Sequence, residues 1–103
     1  MTEEKALNTV YENLMGLSSI TVALRNKQGL NKDKYDKTVE ALNYLITLYA
    51  DKKEVPKKLA LCMVDIYGAF DFKEDFYSSK KEREEIEDAG IQLQELAIDL
   101  FND

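Results

Sequence analysis

Apolar residues step by threes and fours through the first quarter of the chain: Leu7, Val10, Leu14, Leu17, Thr21 and Leu24, with Tyr11, Ile20 and Ala23 widening the stripe. That spacing predicts one amphipathic helix over 3–27. Gly16 and the pair Ser18-Ser19 lie inside it, lower helix propensity and mark a bend or a break. Gly29 is the expected C-terminal cap. A second helix is predicted over 32–51, capped by Asn31, with Tyr35, Val39, Leu42, Ile46 and Tyr49 as its stripe and Leu45 and Leu48 beside it. "ADKKEVP" breaks the pattern, and Pro56 suits the first turn of a third helix over 56–70, whose inward positions are Leu59, Cys62 or Met63, Ile66 and Phe70.

The fourth helix opens at Ser79. "SKKE" has the form of a capping box, in which the serine hydroxyl takes one free N–H and Glu82 returns to another. Ile86, Ala89 or Gly90, Leu93, Ala97 and Leu100 form its stripe, flanked by Leu96 and Phe101. A mid-helix glycine costs about 1 kcal/mol relative to alanine, so Gly90 predicts close approach of a neighbouring element. No useful stretch alternates with period two, and no repeat or low-complexity segment is present. The expectation is an all-α, antiparallel four-helix bundle forming a single domain over 1–103.

Composition narrows the function classes. With 103 residues, 45% hydrophobic and 33% charged, the chain has the balance of a folded domain with one modest core. The net charge of −6 disfavours a nucleic-acid partner. The acidity is local: residues 1–55 are neutral, 56–81 carry +1, and 82–103 hold eight acids against Arg83 alone. The N-terminus lacks a basic segment followed by an apolar one, and no apolar run approaches a membrane span, so a cytoplasmic protein, peripheral to a membrane at most, is expected.

There is no histidine and only one cysteine, Cys62. An internal disulfide, a Cys/His zinc site and a Ser-His-Asp set are therefore excluded, and no glycine-rich phosphate loop is present. Cys62 sits on the apolar stripe of the third helix and reads as a small buried hydrophobe. No cofactor is expected. The acidic fourth helix carries Glu84 and Glu87 at Glu-x-x-Glu spacing, with Glu95 and Asp99 further on. A divalent-metal hydrolase built on these four is one alternative, set against a solvated face with dipole compensation at the helix start.

The remaining feature is "FDFKEDFYSSKKE", residues 70–82. Five of the ten aromatics fall between Tyr67 and Tyr77, interleaved with charge. Phe70 continues the third stripe. Phe72, Phe76 and Tyr77 lie beyond it, and two readings stay open: a cap closing the end of the bundle, or a partner-facing patch, for which exposed aromatics beside charge are favoured anchors. The candidate contact residues are Phe72, Lys73, Phe76, Tyr77, Lys80 and Lys81.

The segment "KLALCMVDIYGAFDFKEDFYSSKKEREEIEDAGIQLQEL", residues 58–96, resembles the third helix, aromatic turn and Glu-rich fourth-helix start of the class IIa (pediocin-like) bacteriocin immunity proteins, of the enterocin A immunity type. "ALNTVYENL" is similar to that family's first helix. The resemblance implies a four-helix bundle without catalysis. It implies protection of a Gram-positive cell from inside, at the sugar phosphotransferase permease that the bacteriocin uses as receptor, with specificity in the C-terminal half. A generic protein-interaction bundle, phage-encoded or regulatory, is the alternative within the same broad class.

Overall fold

Helix α1 runs from Glu3 to Met15, and α2 from Ile20 to Arg25; together they replace the single helix expected over 3–27. The break falls at Gly16, which turns extended (φ −70°, ψ 170°) while its N–H still reaches the Glu12 carbonyl. Ser19 restarts the helix as N-cap, its Oγ accepting from Val22 N at 3.2 Å. The cost of the break is visible at Leu17: expected on the stripe, it is 97% exposed because the interruption takes it off the buried face. Thr2 caps α1 by accepting from Lys5 N.

α2 ends in a Schellman motif, with Gln28 N donating to Ala23 O and Lys27 N to Leu24 O. The left-handed residue in it is Lys27 (φ 61°), not the expected Gly29, which is also left-handed but lies two residues further on. Helix α3, Lys32–Tyr49, starts at the predicted cap, where Asn31 accepts from Lys34 N. Its most buried positions are Thr38, Ala41, Leu42, Leu45 and Tyr49, while Tyr35, Val39 and Ile46 of the predicted stripe are half-buried.

Helix α4 covers only Lys57–Met63, with Pro56 just ahead of it, rather than the whole of 56–70. Val64, Asp65, Ile66, Tyr67 and Gly68 are all weak helix formers. The chain leaves the helix at Val64, passes through a left-handed Asp65 (φ 53°) and tightens into a 3₁₀ turn at Gly68–Phe70. The predicted inward positions Leu59, Cys62, Met63, Ile66 and Phe70 are nonetheless all buried. Helix α5, Lys80–Phe101, is the longest element and buries Ile86, Ala89, Gly90, Leu93, Leu96, Ala97 and Leu100.

This computed structural model describes residues 1–102, and among them there is no strand; the protein is an all-α helical bundle. α1 and α3 run antiparallel and are tied at both ends. Asn13 Nδ2 donates to Lys34 O and to Thr38 Oγ1 at one end, and Tyr49 OH donates to Glu3 Oε2 at 2.6 Å at the other. α3 and α5 run in the same direction: Lys32 pairs with Glu85 (3.9 Å), and Tyr35 reaches Ala89 O and Gln92. That is the relation expected of the second and fourth helices of an up-and-down bundle.

Gly90 shows why α5 tolerates a mid-helix glycine. A Cβ there would lie 2.6 Å from the Cβ of Phe70 and 3.3 Å from its Cγ, so only glycine lets the 3₁₀ turn lie directly on the helix. Phe70, 1% exposed, fills that contact.

Candidate functional site

The aromatic corner is built on the connection from Asp71 to Ser79, between the 3₁₀ turn and α5. Its anchor is Tyr77, which is 5% exposed. The Tyr77 hydroxyl donates to Leu24 O at 2.6 Å and accepts from Gly29 N at 3.3 Å, closing the turn against the end of α2. Burial raises its pKa, the Gly29 hydrogen bond opposes the rise, and Glu82 adds to it. Arg83 holds the connection from the other side, its Nη1 donating to Tyr77 O at 2.8 Å and Ser78 O at 3.4 Å.

Phe72 and Phe76 sit above this anchor, both half-buried. Their rings stack at 4.8 Å and 17°, and each meets Tyr77 edge-on, at 5.8 Å and 5.3 Å. These are favoured aromatic arrangements, each adding about 0.5–1.5 kcal/mol beyond the area buried. Lys27 Nζ lies 4.9 Å above the Phe76 ring. Tyr77 is thus a cap of the bundle, and Phe72 and Phe76 are left as a half-buried ring pair.

Of the six candidate contact residues, Tyr77 is corrected. It is not available to a partner, because its ring fills the core and its hydroxyl is used twice internally. Lys73, Lys80 and Lys81 are exposed. Lys80 makes a long pair with Glu84 (4.0 Å), one turn along α5. Ser79 caps α5, accepting from Glu82 N at 3.2 Å. The reciprocal half of the expected capping box does not form; the Glu82 carboxylate instead lies over Gly29, where a Cβ would sit 3.0 Å from Oε2.

Beside the ring pair, between the turn and α5, lies a groove of about 240 Å³. Phe70, Phe72, Tyr77 and Ile86 supply its apolar lining, and Asp71, Glu74, Arg83 and Glu87 supply charge. Sequence reasoning missed this groove and missed Lys27. Lys27 is 49 residues from Phe76, and no local spacing joins them. Arg83 read only as the lone base of the acidic segment, and Glu87 only as one of the acids considered for a metal.

The four acids considered for a metal are all exposed and strung along α5. From Glu87 to Glu95 is about 12 Å at 1.5 Å per residue, too far for the two ends to share one ion. Among the described residues no group of three or more His, Cys, Asp or Glu is placed to hold a metal. Cys62 is buried, and burial pushes its thiol up to about 11, partly offset by Lys58, so it is protonated at neutral pH. No helix among the described residues is long and apolar enough to cross a membrane.

The fold and the corner together define a small all-α bundle with a stacked, half-buried aromatic pair on the connection before α5. Comparison with protein-family models, with curated proteins and with solved structures gave no match to this chain.

Proposed function

We propose that this protein is a non-catalytic immunity protein of the pediocin-like bacteriocin class. It protects the cell by binding, at the cytoplasmic side, the membrane receptor complex that the bacteriocin uses, a sugar phosphotransferase permease. Phe72 and Phe76 are the contact anchors, with Lys73, Lys80 and Lys81 around them and Tyr77 as the internal post that holds them. The observation carrying this reading is the half-exposed stacked pair on a connection fixed from below. Pre-ordered aromatics that lose little entropy on binding are the usual hot spots of protein interfaces. The resemblance of residues 58–96 to the immunity family supplies the particular partner.

The test is a protection assay. The chain is expressed in a bacteriocin-sensitive Gram-positive strain, and inhibitory concentrations of a panel of pediocin-like peptides are compared with an empty vector. A large rise for one or a few peptides is expected, lost on Phe76→Ala with the protein still folded. No rise across the panel at confirmed expression refutes the reading.

A further inference from the structure

We propose that the outer face of α4 and α5 is covered by a second copy of this chain, in a two-fold dimer that sets α4 of each copy on α5 of the other. This face is separate from the aromatic pair, and the dimer does not rest on the immunity reading.

The exposed apolar residues carry the inference. Among the described residues nine large apolar side chains are exposed, and six of them lie on α4, on the link that follows it and on α5. Leu61 (65% exposed) and Val64 (67%) stand on the outer side of α4 and at its end, and Ile91, Ile98 (57%) and Phe101 on the outer flank of α5. Ile91 and Ile98 are seven residues apart and share one helix face. The two sets are neighbours. The carbonyl of Tyr67, itself exposed, lies 3.7 Å from the place of a Cβ on Gly90, which puts the link after Val64 beside Ile91. α4 and α5 run in opposite directions. α4 leads from the end of the bundle where α3 stops to the 3₁₀ turn, which touches α2, and α5 starts beside the start of α3. Leu61 and Ile98 each stand about 10 Å further along from the Tyr67 contact, at a similar level. A contiguous apolar patch of this kind marks an interaction surface.

Charge decides what covers it. From Glu84 to Asp99 α5 has six acids and no base, whereas the only charges from Val55 to Val64 are Lys57 and Lys58. Lys58 turns to α1, its Nζ 4.6 Å from the Tyr11 ring centre, while Lys57 shares the outer side of α4 with Leu61, one turn on. The face therefore has a basic half and an acidic half. A two-fold axis across the helices would set acidic α5 on acidic α5. An axis along the bundle sets each α4 on the other copy's α5, bringing Lys57 toward Glu95 and Asp99 of the second copy and the apolar residues of the two faces together. That self-complementarity is what a two-fold interface requires. The same acids repel an anionic membrane surface. Two helices side by side are about 20 Å across, and the patch is of similar length, so the interface falls at the small end of specific ones and the dimer is reversible.

The test is sedimentation equilibrium of the full chain from micromolar to millimolar concentration. A rise from monomer to dimer mass is expected. Ile98→Glu and, on the other helix, Leu61→Glu should each abolish it, with helicity unchanged by circular dichroism because both positions are exposed. Lys57→Glu alone, and Glu95→Lys with Asp99→Lys, should each weaken the dimer about tenfold, and the three changes together should restore it. A monomer at every concentration overturns the proposal, as does a dimer indifferent to both Ile98→Glu and Leu61→Glu. Failure of the combined charge reversal to restore the dimer rejects the pairing of α4 with α5. Protection is not read in this experiment, so its failure leaves the immunity reading standing.

Discussion

Gly90→Ala separates local helix propensity from tertiary contact, because the two predict opposite signs. Alanine in place of glycine inside an exposed helix should add about 1 kcal/mol of stability. In this protein the added Cβ would stand 2.6 Å from the Cβ of Phe70 and 3.3 Å from its Cγ. Ordinary carbon contacts lie at about 3.5–4.0 Å, so the overlap is about 1 Å. The overlapped atom is tied to the 3₁₀ backbone of a side chain 1% exposed, and cannot yield as the end of a flexible side chain could. Overpacking of that kind costs about 1–3 kcal/mol. With the rigid neighbour placing the cost in the upper part of that range, the net effect is a loss of about 1–2 kcal/mol. Urea unfolding followed by circular dichroism at constant m-value measures it, and Tm should fall by about 5–10 °C for a domain of this size. A gain near 1 kcal/mol would mean that Phe70 does not lie against α5, and the account of the corner built on that packing would fall with it.

Other substitutions probe the corner and its cap. Tyr77→Phe leaves Gly29 N without its partner, while Leu24 O keeps Lys27 N, so a loss of about 1–3 kcal/mol is expected by denaturant unfolding. Tyr77→Ala should cost about 3–5 kcal/mol as a buried aromatic, whereas half-buried Phe76→Ala should cost about half that yet abolish protection; equal stability losses would deny the division into anchor and contact. Ser79→Ala removes the cap of α5 and should cost about 1 kcal/mol, with no change refuting the cap. Stability should also fall at high pH. Burial raises Cys62 from 9.0 to about 11 and Tyr35 from 10.0 to about 12, and it raises Tyr49 and Tyr77 as well. The folded state holds these protons longer than the unfolded one, so their contribution is whole below pH 9 and is lost as pH rises through the folded values. A Tm unchanged between about pH 8 and pH 11 would contradict this.

The apolar spacing of this chain, with its cap residues, was enough to determine that it is helical, where four of its five α-helices begin and most of the residues that turn inward. Ile86, Leu93, Ala97 and Leu100 on α5, and Leu59, Ile66 and Phe70 before it, are buried as their periodicity required. Asn31 and Ser79 cap the helices they were read to cap, because a cap is a contact between neighbours three residues apart. Periodicity erred where local chemistry competed with it. Leu17 continues the stripe but lies beyond the Gly16 break, and 64–70 keeps the inward pattern while leaving the α-helix. The placement of the aromatics was decided only by the tertiary structure. Tyr77 is a post because its hydroxyl meets Leu24 and Gly29, about fifty residues away in sequence, and Phe76 gains Lys27 in the same way. The groove is likewise a product of the fold, lined by Asp71, Phe72 and Glu74 from the connection and by Ile86 and Glu87 from α5. Spacing along the chain reports what a residue does to its own helix; which side chains face one another across the bundle depends on contacts between distant segments, which no local pattern encodes.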